Sequence, residues 1–190
     1  MARILQIEPT PNPLAYKLKL DQKVTVGGSR HYTKKEEAYD SPIAQKIFDI
    51  HGVESIFIMD DFIAVNKTVG GIWDFIFFKA NEILMAAKDI VPLRLDEEGK
   101  KVETIAPNAF DKLPSEEKLA YIDRIVDETI RPGLARDGGG LKILSLRENV
   151  LVVRYQGACG SCPSSTAQTL NYISNMLQER VSPNLTVVPA

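Results

Sequence analysis

Cysteine is almost missing from this chain: its 190 residues hold two, Cys159 and Cys162. Two thiolates can grip one edge of a metal ion or cluster, or cycle between dithiol and disulfide, but cannot by themselves complete a four-thiolate site. A metal held through sulfur would draw its other half from a second copy of the chain. Histidine is equally scarce. His31 and His51 lie far from the cysteines in sequence and read as surface or helix-end residues rather than ligands. Charge of one sign is lacking too. A formal net charge of -2 removes any general argument for nucleic-acid or membrane-surface affinity. The longest apolar stretches, such as 72–78, are far too short to span a bilayer. Nothing after Met1 looks like an apolar signal core, so a cytoplasmic chain with reduced thiols is expected. There a close cysteine pair is more often a metal or redox site than a structural disulfide. No Ser/His/Asp arrangement or paired-carboxylate motif stands out, which disfavours a conventional hydrolase.

What is present is enough apolar residue for a real core, 44% of the chain, unevenly spread. Residues 1–88 and 115–190 are dense in periodic apolar segments. The stretch 89–114 carries an acidic and basic run and three prolines, and reads as a linker. In the first part, strands are expected over 3–8 and 16–20, around the turn-rich Thr10-Pro11-Asn12-Pro13. Ser41, Pro42 and Gly52 punctuate a short helix, and 53–58 and 62–66 form a hairpin across Asp60 and Asp61. Apolar residues at helical spacing from 72 to 87 should cover the resulting sheet. In the second part, a helix starts at a Ser115 cap and is disturbed near Pro132. Strands over 141–146 and 150–156 make a hairpin, and a last strand lies near 185–188. Between them runs a helix with Ser165 and Gln168 as a capping box and Leu170, Ile173, Leu177 and Val181 on one face. The fold class is α+β: two small domains, 1–88 and 115–190, the second running helix-strand-strand-helix-strand.

This layout places Cys159 and Cys162 on a tight loop between a strand end and a helix start. Unpaired backbone N–H groups and the positive end of a helix dipole would stabilise a thiolate there. Gly157 and Gly160 allow close backbone approach, and such a loop can donate N–H groups to bridging sulfides. A lone CxxC is nonetheless a weak motif. Zinc half-site, thioredoxin-like redox pair, iron-sulfur ligation and plain proximity all remain open from spacing alone. Two features weigh against a redox pair: thioredoxin-type motifs follow an early strand of a βαβ unit, and they usually sit beside an aromatic residue.

The motifs also carry a resemblance. Ile130-Arg131-Pro132, Asp137-Gly138-Gly139, the strand pair, the run from Gly157 through Ser165 and Thr169-Leu170 resemble the C-terminal domain of NifU and of the Nfu iron-sulfur carriers. Thr10-Pro11-Asn12-Pro13, Ser41-Pro42-Ile43-Ala44, the run Phe48 to Val53 and Asp61-Phe62-Ile63-Ala64-Val65 resemble the Nfu N-terminal domain. The resemblance implies a 4Fe-4S cluster held between two chains by Cys159 and Cys162, loaded by upstream assembly proteins and delivered to apo iron-sulfur proteins. A bridging 2Fe-2S cluster would also accept four cysteines. Gly140 stands where the family often has Asp, and Tyr16-Lys17-Leu18 replaces a more usual Lys-Phe; neither touches the thiols.

Other residues read more plainly. Asp137 supplies a turn or cap, and the glycines after it lack the strand-before, helix-after setting of a phosphate loop. Trp73, Phe75, Phe77 and Phe78 are core, with Phe75 or Phe78 left over for a partner surface, and Lys34 to Glu37 form a solvated face. The reading is a cluster carrier or scaffold, not an enzyme, monomeric when empty and homodimeric when loaded, with no nucleic-acid or membrane partner. The alternatives are a CxxC dithiol oxidoreductase and a zinc-bridged structural dimer.

Overall fold

The computed structural model describes residues 2–87, 92–94, 110, 113–160 and 166–190. Its first domain is built on an antiparallel sheet of five strands. These are β1 (Ile4–Pro9), β2 (Ala15–Leu20), β4 (Ser29–Tyr32), β5 (Val53–Met59) and β6 (Phe62–Lys67), in the spatial order β1-β2-β6-β5-β4. The β5–β6 hairpin turns at Asp60, whose φ of 49° is the left-handed value such tight turns demand. One sheet face carries Leu18, Leu20, Ile56, Ile58, Ile63 and Val65, all buried against two helices. Helix α1 (Pro42–Phe48) starts as its sequence dictates: the Ser41 hydroxyl accepts the Ala44 N–H at 3.3 Å, and Pro42 occupies the first turn. Helix α2 (Trp73–Ala86) buries Ile76, Ala80 and Leu84, one stripe of a 3.6-residue period.

Three features were not expected from sequence. Ser29–Tyr32 is a strand at the sheet edge, although only Tyr32 of its four residues is buried. Lys35–Ala38 forms a 3-10 turn. The two-residue strands β3 (Thr25–Val26) and β7 (Leu93–Arg94) pair in parallel, so part of the stretch read as linker is tied to the first domain. Phe110, from the same stretch, is buried in the second domain's core; the rest of 89–114, apart from 92 and 113–114, lies outside the described residues.

The second domain opens with α3 (Ser115–Thr129). Its N-cap is Pro114, not Ser115, and no side chain caps it. The helix stops at Ile130 because Pro132 cannot continue it, and α4 (Arg131–Arg136) sets off with that proline in its first turn. Strands β8 (Gly139–Arg147) and β9 (Val150–Gly157) form an antiparallel hairpin. Helix α5 (Thr166–Arg180) then crosses back so that β10 (Thr186–Pro189) pairs in parallel with β9, as parallel pairing requires. Ile173, Leu177 and Val181 are buried with Tyr121, Ile122, Val126, Leu151 and Val153 in a core distinct from the first. The Ser165 capping box lies outside the described residues.

The two domains touch through the back of the first sheet. Along β6 all six residues are buried, which a one-sided sheet would not give. Ile63 and Val65 face the helices, whereas Phe62 and Ala64 join Phe57, with Met59 and Ala135 packed around them, in a third, smaller apolar cluster. Lys17 crosses the same seam: its Nζ pairs with Glu8 at 2.6 Å, lies over the Phe62 ring, and donates to the Arg136 carbonyl at 3.2 Å.

Candidate functional site

Cys159 sits where β9 ends, two residues past Gly157, half-buried at the margin of the second core. The loop is bent by backbone bonds: Ala158 N–H donates to the Gly138 carbonyl and Gly160 N–H to the Gly157 carbonyl, each at 3.1 Å. Gly157 has φ 62°, and a Cβ there would come within 2.5 Å of the Gly138 oxygen, so glycine is required. The sequence ties Gly157 and Gly160 to the cysteines by proximity and shows Gly139 only as part of the Asp137-Gly138-Gly139 motif, with no link to the thiol. Gly139 pairs with Gly157 across the hairpin, and a Cβ on it would overlap the Cys159 sulfur itself. The thiol therefore lies directly on a bare stretch of backbone. Cys162 lies outside the described residues.

Tyr155, four residues upstream, contributes a buried hydroxyl with no hydrogen-bond partner among the described residues. Burial, and then the negative charge of the Cys159 sulfur, push its pKa up to about 12. It remains a protonated donor beside the thiol. Arg131 ties the start of α4 to α3 and β8. Its side chain donates to the Leu141 carbonyl at 3.0 Å, to Asp123 at 2.7 Å and to Asp127 at 2.5 Å. Burial alone would lower its pKa, but the two carboxylates more than offset that and raise it. Among the described residues no group of three or more His, Cys, Asp or Glu side chains is placed to hold a metal ion.

The start of the loop also meets the first domain. Asn12 and Asn66, each 2% exposed, aim their amides at it. Asn12 Nδ2 donates to the Ala158 carbonyl at 3.0 Å, and Asn66 Nδ2 to the Gly157 carbonyl at 3.1 Å. The turn-rich Thr10-Pro11-Asn12-Pro13 is what holds Asn12 in place. Thr10 Oγ1 donates to the carbonyls of Asn12 and Ala15, and Asn12 Oδ1 accepts the Leu14 N–H at 3.0 Å, an Asx turn. Phe57 packs against Gly140 and Gly157, where its ring fills the space a Cβ would need.

His51 is exposed just past α1, as read, but His31 is no surface residue. It stands half-buried in β4 between the domains, edge-on to Phe57, with its pKa lowered by burial and the Arg154 charge against the opposing pull of Glu37. Asp137 caps α4 and lines the cavity at Cys159. Trp73 and Phe77 stack in the first core, while Phe75 and Phe78 are left exposed. Lys34 to Glu37 are solvated.

Fold and site together define a class: a two-domain α+β protein whose cysteine loop, at the end of a hairpin, is met by the back of an antiparallel sheet. Residues 5–89 match the family described as scaffold protein Nfu/NifU N terminal, and residues 122–188 match the NifU-like domain. The chain belongs to the Nfu/NifU-like family. Among similar proteins, "NifU-like protein 4, mitochondrial" of Arabidopsis thaliana is 31% identical over 184 residues, 94% of this chain and 62% of that protein. "NFU1 iron-sulfur cluster scaffold homolog, mitochondrial" of Drosophila ananassae is 29% identical over 177 residues, 92% of this chain and 59% of that protein. The chain thus spans less than two thirds of the length of these relatives.

Proposed function

We propose that this chain is an iron-sulfur cluster scaffold and carrier, not an enzyme, and that Cys159 and Cys162 are its cluster ligands. The observation that carries the reading is the setting of Cys159: a half-buried sulfur on bare glycine backbone, at the end of a strand, in a chain with one other thiol. The names of its relatives support the same role. With two thiols per chain, a four-cysteine site needs two chains, so loading and dimerisation are one linked equilibrium. The cargo is a 4Fe-4S cluster, with 2Fe-2S the smaller cargo the same four thiolates would accept.

Delivery is ligand exchange. An acceptor's thiolates displace the carrier's from iron one pair at a time; iron–sulfur bonds form and break in equal number, no electrons change hands, and the protons released by the acceptor's thiols pass to the departing carrier thiolates. Upstream assembly proteins load the carrier and apo iron-sulfur proteins unload it. The test is anaerobic reconstitution with iron and sulfide, reading iron, sulfide and zinc content and the visible spectrum beside a Cys159→Ser/Cys162→Ser variant. Bound iron and sulfide lost in the variant are expected. Zinc alone, or a colourless protein that turns over disulfide substrates, would replace the carrier with the zinc-bridged or the redox reading.

A further inference from the structure

The closed arrangement of the domains is hard to reconcile with a loaded cluster. Pro11 and Asn12 of the first domain, with Leu134, Asp137 and Thr169 of the second, enclose a cavity at Cys159 of about 30 Å³. A cavity of that size admits about two water molecules. It has no room for iron and sulfide, and still less for the cysteine loop of a second chain. We propose that the first domain is a reversible cover for Cys159 and the two residues before it, latched by the Asn12 and Asn66 amides, which must lift before a second chain can reach that sulfur. The consequence for loading rests on the carrier reading; the cover itself does not.

The latch is specific and it is weak, as a reversible device must be. It is specific because both buried amides find loop carbonyls, at 3.0 and 3.1 Å, on adjacent residues that immediately precede Cys159. An asparagine amide shut away from water without such a partner would be costly, so these bonds define the closed position. It is weak because what joins the latch across the seam among the described residues is small beside the two domain cores: the Lys17 bond, Phe57 against Gly140 and Gly157, and the cluster of Phe57, Phe62 and Ala64. Contacts of this size between domains of one chain ordinarily permit relative motion. Phe57 belongs to the seam alone, since Ile56 and Ile58, its neighbours in β5, point to the opposite face and into the first core. A protein whose binding-competent state is only partly populated binds with its affinity reduced by that fraction. Closure therefore holds the empty carrier as a shielded monomer, and anything that lifts the cover promotes pairing over a cluster.

The test uses the full-length, reduced protein and two variants that attack the seam separately. In Asn12→Ser/Asn66→Ala, the serine hydroxyl can still take the Leu14 N–H but is too short to reach the loop. In Phe57→Ser, both asparagines stay and the apolar contact is lost. Far-UV circular dichroism confirms folding, and either variant suffices if the other fails to fold. The first readout is the rate at which a bulky maleimide alkylates Cys159, assigned by peptide mass; the second is dimer yield against limiting iron and sulfide. Alkylation faster by about tenfold or more is expected in each variant, with dimers forming at correspondingly lower iron. An unchanged alkylation rate in folded variants overturns the cover. Faster alkylation with loading no better than the wild type overturns its control of pairing. If no protein, the wild type included, takes up iron, the carrier reading fails, and the alkylation rates still decide for or against the cover.

Discussion

At the scale of the residue, the sulfur of Cys159 is placed by what lies beneath it. Gly139→Ala puts a methyl group where that sulfur stands and within 2.9 Å of the Gln156 carbonyl, so the thiol or the strand must move. Overpacking of this kind costs about 1–3 kcal/mol. The expected outcome is a folded protein, somewhat less resistant to urea, whose cluster content falls steeply; normal iron content in Gly139→Ala would contradict the placement. Tyr155→Phe should behave in the opposite sense. It removes a buried hydroxyl with no partner among the described residues, a group whose burial costs about 1–3 kcal/mol, so the empty protein should be as stable as the wild type or more so. A melting point several degrees lower would show that the hydroxyl has a partner after all. His31 adds a pH dependence. Its folded pKa lies below the ordinary 6.5, so the unfolded or opened chain binds the proton more tightly. The stability it lends is fully present above about 6.5 and is lost as pH falls below that value toward the folded pKa. Glu37 eases this and Arg154, across the seam, reinforces it. Denaturation midpoints followed from pH 8 to 5 should decline in the wild type and less so in His31→Gln. The cysteine pair was plain in the sequence because nothing competed with it. The part that Gly139, Asn12 and Asn66 play at the site was not, because their partners are set by strand register and by contacts 91 and 146 residues apart in the chain.

At the scale of the element, periodicity did most of the work where one face of an element meets one core. The stripe Ile173, Leu177, Val181 read from the sequence is the buried stripe of α5 and its end, and the hairpins at Asp60 and at Glu148 turn where polar residues interrupt β-rich runs. Leu177 is fully buried, so Leu177→Ala should cost about 2–5 kcal/mol and release α5, the element that follows the cysteine loop. Urea unfolding watched by circular dichroism measures it; a change under about 1 kcal/mol would mean that α5 is not held by this core. Strand β4 escaped because Ser29, Arg30 and His31 offer no apolar alternation. It is a strand because β5 presents an open edge to it, with Arg30 opposite Ile58 and Tyr32 opposite Ile56. The Ser115 cap failed for a local reason: Pro114 takes the cap position, so Ser115 already lies in the first turn.

At the scale of the molecule, two cores of similar make-up are joined by a thin seam, and the seam lies on the chemistry. Two domains were legible from the break in apolar density after residue 88. Their contact was not, because Phe57, Phe62 and Ala64 sit in an apolar run that reads equally well as a strand buried on one face or on both. The six buried residues of β6 and the packing of Ala135 on Phe57, Phe62 and Ala64 show that the second face is used. On the proposed function, a chain closed over Cys159 when empty opens and pairs when loaded. The most direct measurement is native mass spectrometry of the anaerobically reconstituted protein. The account predicts one species, a pair of chains carrying about four irons and four sulfides, which reverts to single chains when the iron is chelated. A cluster retained by single chains, or a dimer of the same abundance without metal, would contradict it.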